Sequence, residues 1–179
     1  DSDNGVIVCG YAKSNDTNES SRIYSTSNGG ESWDIVGSGP ATNIIKGVVY
    51  VSSDVGFFCY DYVEGMDSNL YKTDDGGKTF AKVMLEEQEL DSSAANPQGQ
   101  ETETKTDSGK NGADSSEQLR WGDVYKEALT PVVDSTGIIT IYLTQGKNAV
   151  YNDGKTAAKY QSSDKGSTWK YIGQVEIKD

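Results

Sequence analysis

One octet occurs three times in this chain, and no other feature restricts the fold as much. The copies are Thr26-Ser27-Asn28-Gly29-Gly30-Glu31-Ser32-Trp33, Thr73-Asp74-Asp75-Gly76-Gly77-Lys78-Thr79-Phe80 and Ser162-Ser163-Asp164-Lys165-Gly166-Ser167-Thr168-Trp169. Each reads hydroxyl, any residue, Asp or Asn, any, Gly, any, hydroxyl, aromatic. A tyrosine stands two residues before each copy (Tyr24, Tyr71, Tyr160), and a β-branched aliphatic stands three residues after each aromatic (Val36, Val83, Ile172). The pattern suits a tight β-hairpin. Asp or Asn accepts hydrogen bonds from its own turn, Gly takes a positive φ, and the aromatic opens the returning strand and packs inward. On that reading Trp33 and Trp169 belong to the core.

The three octets resemble Asp-boxes, or BNR repeats, the hairpin signature of sialidases, sortilin-type receptors, photosystem II assembly-factor-like proteins and many secreted bacterial proteins. The resemblance implies that Thr26, Asn28, Gly30 and Trp33, then Thr73, Asp75, Gly77 and Phe80, then Ser162, Asp164, Gly166 and Trp169 are structural box positions. It also implies that each box joins the third and fourth strands of a β-propeller blade, away from the face where ligands usually bind.

The expected fold is therefore all-β and propeller-like: three Asp-box blades of mostly four antiparallel strands, forming a partial propeller. Residues 1–85 should hold the first two blades, the first of them lacking one strand, and residues 119–179 the third blade and a C-terminal edge. Thr26 to Thr73 is 47 residues, a normal blade repeat; Thr73 to Ser162 is 89. The excess falls in 86–118, an acidic low-complexity stretch without an aromatic residue, expected to be a disordered insertion because it cannot bury enough apolar surface to offset its ordering entropy. A closed propeller has at least about four blades, so further blades or a second chain are expected to complement these three.

Composition narrows the function classes. The chain carries 28 acidic and 16 basic residues, for a formal charge of -12, which repels phosphate backbones and argues against a nucleic-acid partner. No apolar run approaches the ~20 residues of a membrane span. The polar start without Met suggests a segment whose export signal has been removed, and the expected location is extracellular or at the cell surface. Asn15 and Asn18 open two Asn-x-Ser/Thr triplets in a polar loop. Cys9 and Cys59 occupy similar points of successive repeats and are expected as two buried free thiols.

No catalytic residue, metal ligand or cofactor site emerges. The chain has no His, hence no ordinary Ser-His-Asp arrangement and no His-containing metal site. A sialidase-like glycoside hydrolase would require an arginine triad and an Arg-Ile-Pro motif, but the chain has only Arg22 and Arg120. It could be such an enzyme only if completed by sequence beyond these residues. Asp61, Glu64, Asp123 and Glu127 are the carboxylates near strands that could make a hydrolytic pair, although among 28 acidic residues close pairs arise by chance. The Asp74-Asp75 pair and Asp164 lack the EF-hand pattern and read as turn acceptors. Aromatics outside the boxes remain: Trp121, Tyr125, Tyr60 and Tyr62 are the candidate platform for a glycan or protein partner. The expected function is a non-catalytic binding or scaffold module.

Overall fold

The computed structural model describes residues 3–11, 20–90, 120–146 and 151–177. Strand-forming runs bounded by glycine and short polar turns give three antiparallel sheets. The first contains β1 (Gly5–Tyr11), β2 (Ser20–Thr26) and β3 (Asp34–Ser38), in that order. The second contains β4 (Ile45–Tyr50), β5 (Gly56–Tyr60), β6 (Leu70–Thr73) and β7 (Ala81–Lys82). The third is built on β10 (Ile139–Thr144), β11 (Thr156–Ser162) and β12 (Lys170–Glu176). Its outer row is split into β8 (Glu127–Ala128) and β9 (Val132–Val133), both paired with β10. The sheets form no closed ring among the described residues.

The outer row of the third sheet is thus broken. Pro131 lies in the break; it has no N–H for the ladder and disfavours regular structure just before it. The residues preceding β8 form a one-turn helix, α1 (Trp121–Val124). Of the stretch assigned to the insertion, residues 86–90 lie within the described structure: Leu90 packs on the aromatic cluster beside the third sheet, and the Glu86 carbonyl accepts the Tyr160 hydroxyl at 2.6 Å. Positions 91–118 and the Asn15 and Asn18 triplets lie outside the described residues.

Each box folds by the same set of bonds. Thr73 Oγ1 accepts the Gly77 amide at 2.8 Å and donates to Asp75 Oδ1 at 2.8 Å. Asp75 Oδ1 also accepts the Lys78 and Thr79 amides, while Oδ2 takes the Thr79 hydroxyl at 2.6 Å. Ser162, Asp164, Gly166 and Thr168 repeat this bond for bond. Asn28 performs the same task in the first box, accepting from Thr26 and the Ser32 amide and donating Nδ2 to Ser32 Oγ at 2.9 Å.

The sheets stack face to face. Ile23 of β2 packs on Phe58 and Tyr60 of β5. The other face of β5, Phe57 and Cys59, packs with Leu70 against Ile139 and Ile141 of β10. All five residues of β5 are buried, as expected of a strand covered on both sides. The boxes join this packing. Gly166, at φ +76°, lies so close to the Phe57 ring that a Cβ would overlap it, and Trp169 meets the same ring edge-on with centroids 6.0 Å apart.

Two expected core residues lie elsewhere. Trp33 is 38% exposed, its ring against Gly5 and Gly30, because no described sheet precedes the first one as the second precedes Trp169. Cys9 is exposed on the outward face of β1, while Cys59 is buried; neither is bonded. Burial pushes the Cys59 thiol up to about 11.

The box carboxylates predict the shape of acid unfolding. The Thr79 and Thr168 hydroxyls, followed by the turn amides, hold Asp75 and Asp164 well below the usual carboxylate range. A depressed folded pKa gives stability that is complete above the unfolded value of about 3.9 and drains away as pH falls toward the folded one. Stability measured by urea melts should therefore decline below about pH 4. In the Asp75→Asn, Asp164→Asn double variant that decline should flatten, since Asn28 shows the amide making the turn. An unchanged pH slope would refute the titrating role.

Candidate functional site

The box hairpins and the β4–β5 and β9–β10 turns lie at one end of the stack, because Gly56 pairs with Thr73 and Ile139 with Ser162. The opposite end is built from the Asp61–Asn69 loop, α1 and the loop after β10. There, between the second and third sheets, opens a cleft of about 500 Å³ bordered by Tyr62, Glu64, Asp67, Asn69, Arg120 and Trp121.

Asn69 is fully committed at this end. Its Nδ2 donates to Tyr60 O at 2.8 Å and Ala128 O at 2.9 Å, and its Oδ1 accepts the Ala128 amide at 2.8 Å. One buried side chain thus bridges two sheets. Behind it, Trp121, Tyr125, Tyr151, Tyr160 and Tyr171 form a tilted and edge-on aromatic cluster. Tyr125 shares a 2.8 Å hydrogen bond with Thr156. Burial pushes the Tyr160 phenol up to about 12 although the neighbouring Trp121 indole works the other way. That indole N–H is buried and falls short of hydrogen-bond geometry with any described residue.

The four expected platform residues separate. Trp121 and Tyr125 are 4% and 3% exposed, and Tyr60 is fully buried, its hydroxyl sharing a 3.1 Å bond with Ser21 of the first sheet. Tyr62, half-buried, borders the cleft with Trp121 and Tyr125. None of Trp121, Tyr125 and Tyr60 offers an open ring face. Two of the candidate carboxylates are held by lysines: Asp61 by Lys46 at 3.1 Å and Glu64 by Lys126 at 2.9 Å. Asp123 lies on α1 and Glu127 on β8. Arg120 borders the cleft, whereas Arg22 lies over the Tyr11 ring on the first sheet, with the second sheet between them. Among the described residues no three His, Cys, Asp or Glu side chains are placed to hold a metal ion.

A different surface emerges when the repeats are superposed by register. Ile7 and Tyr24 of the first sheet correspond to Phe58 and Tyr71 of the second and to Ile141 and Tyr160 of the third, each a cross-strand pair. In the second and third sheets these pairs face the preceding sheet. In the first they face outward, joined by Cys9, Tyr11, Arg22 and Ile35, and leave Ile7 43%, Tyr11 42% and Ile35 61% exposed. The opposite end of the stack differs: where Cys59 and Leu70 of the second sheet meet the third, the third presents Tyr142 and Lys159, flanked by Thr140 and Gln161.

No protein-family model matches this sequence, and no curated protein matches it.

The Asn69 bridge can be tested directly. Asn69→Leu keeps the branched shape, with bulkier methyl groups, but leaves the Ala128 amide and Tyr60 carbonyl without their partner, which costs about 2–4 kcal/mol in urea unfolding. A change within experimental scatter would show that water or backbone shifts replace it.

Proposed function

We propose that this chain is a non-catalytic extracellular binding or scaffold module, three successive Asp-box blades of a propeller-like assembly, and that it engages a protein partner through the outward face of its first sheet. The observation carrying this reading is the unequal treatment of the two ends of the stack. The third sheet ends it mostly with Thr140, Tyr142, Lys159 and Gln161, beside one exposed aliphatic, Val132. The first keeps the apolar pattern that packs sheet on sheet elsewhere, with nothing described against it. Exposed apolar area of this kind marks contact surfaces. The occupant it fits is a second β-sheet with an aliphatic face, the chemistry that Ile23, Val6 and Val8 offer to the second sheet.

A protein partner is favoured over a glycan because Trp121 and Tyr125, the aromatics nearest the cleft, have their rings packed against protein. The sialidase-like alternative gains no support from Arg22 and Arg120, which lie on opposite sides of the second sheet.

Cys9 lies on the proposed contact face and Cys59 is buried, so alkylation of the native chain should label Cys9 alone. Proteins retained from an extracellular extract by the wild-type chain should slow Cys9 alkylation at least about tenfold, and both effects should vanish in Ile35→Glu, which alters an exposed side chain. Binding to sialylated or neutral glycans that survives Ile35→Glu but is lost in Tyr62→Ala would move the function to the cleft and overturn the assignment.

A further inference from the structure

Among the described residues the first sheet has one strand row fewer than the second, and no sheet stands before it. In the second sheet β4 runs antiparallel along β5, and in the third the β8/β9 row runs along β10. Register places β1 in the position of β5 and β10, and among the described residues no strand lies along its other side. The edge is seven residues long and uncharged, Gly-Val-Ile-Val-Cys-Gly-Tyr. Such an edge carries a row of unpaired backbone donors and acceptors together with an apolar surface, the combination that recruits a further strand.

A space adjoins this edge. Between the first and second sheets, at the box end, lies a cleft of about 1020 Å³ that reaches from Val6 and Val8 of β1 across to Asp34 and Val36 of β3 and is faced by Ile45, Val48 and Tyr50 of β4. In the next interval the corresponding space is filled, for Thr130, between β8 and β9, lies directly against Gly47 of β4. The walls therefore specify an occupant with aliphatic side chains at alternate positions, since only every second residue of a strand points to one face.

Direction and charge follow. β1 leaves the box end at Gly5, so an antiparallel strand arrives there with its C-terminal residues. Asp34, Asp54 and Asp75 border the cleft at that end, with Lys78 the opposing cation, so a basic residue after the strand meets a favourable field.

We infer that β1 accepts an extended aliphatic segment of a partner polypeptide, added antiparallel to Gly5–Tyr11 with its side chains in the cleft against β4 and a basic residue following it at the box end. Recognition is of the strand-addition type, in which backbone bonds supply affinity and alternate pockets supply selectivity. The inference is independent of the outward face discussed above, which it leaves uncovered.

The probe is a fluorescein-labelled peptide with the sequence of residues 44–51 followed by three lysines, titrated against the full chain by fluorescence anisotropy. Saturable micromolar binding is expected, with the amides of residues 5–11 exchanging hydrogen at least about tenfold more slowly in its presence. The same peptide ending in three glutamates should bind at least about tenfold more weakly. Val8→Pro should abolish uptake, and Ile35→Glu should retain it. Because Val8→Pro also removes a strand residue of the first sheet, the exchange pattern of the unsubstituted chain decides: protection elsewhere than β1, or no binding of the lysine peptide, overturns the inference. Equal binding of the two peptides removes its charge component. Concentration-dependent dimers that protect β1 without taking up peptide would assign the edge to a second copy instead, and overturn it also.

Discussion

A clamp between two side chains holds each repeat. A Thr or Ser hydroxyl accepts the amide of the turn glycine and donates to an Asp or Asn; each Asp gathers the amides three and four residues farther on, and Asn28 the amide four residues on. The clamp satisfies donors that a tight turn would otherwise leave to water, and so holds two strands in one register. Register then decides which residues face the neighbouring sheet, because a slip of one residue would turn every side chain over. Ile23, Leu70 and Tyr160 reach the core through this control.

The boxes also take part in packing between sheets. Gly166 and Trp169 close on Phe57, and Gly77 closes on Ile23, each from one sheet onto the one before. Nothing larger than glycine fits beside Phe57 at the positive φ of Gly166. Polar ties secure the other end of the stack: Ser21 to Tyr60 between the first and second sheets, and Asn69 to Ala128 between the second and third. Both ties are buried, where hydrogen bonds are costly to leave unmade and specify a single alignment of the sheets.

The same construction explains why the ends differ from the middle. β5 is buried on both faces and needs apolar residues throughout, whereas the outermost sheets need them on one face only. The third sheet keeps closer to that rule, with Lys159 where the first and second sheets have Ile23 and Leu70, although Val132 is exposed on its outward face. The first sheet departs from it through Ile7, Tyr24 and Ile35, and additionally through the edge of β1, along which no described strand lies. These two departures point to an interacting molecule more directly than the cleft beside Trp121, whose aromatic walls are occupied with one another.

The sequence by itself determined the three hairpins, the antiparallel all-β class, the three, four and four strand rows and the assignment of Asn28, Asp75 and Asp164 to the turns. Those properties are local, written into hydroxyl, carboxylate, glycine and aromatic positions within a few residues of one another. Only the tertiary structure decided that Trp169 is half-buried against Phe57 while Trp33 is exposed, that Cys59 is buried while Cys9 is not, and that Trp121 and Tyr125 line a cluster rather than a platform. Identical motif positions meet different surroundings in the first and last repeats, and burial depends on which sheet stands opposite. That is a relation between distant parts of the chain, which no single octet contains.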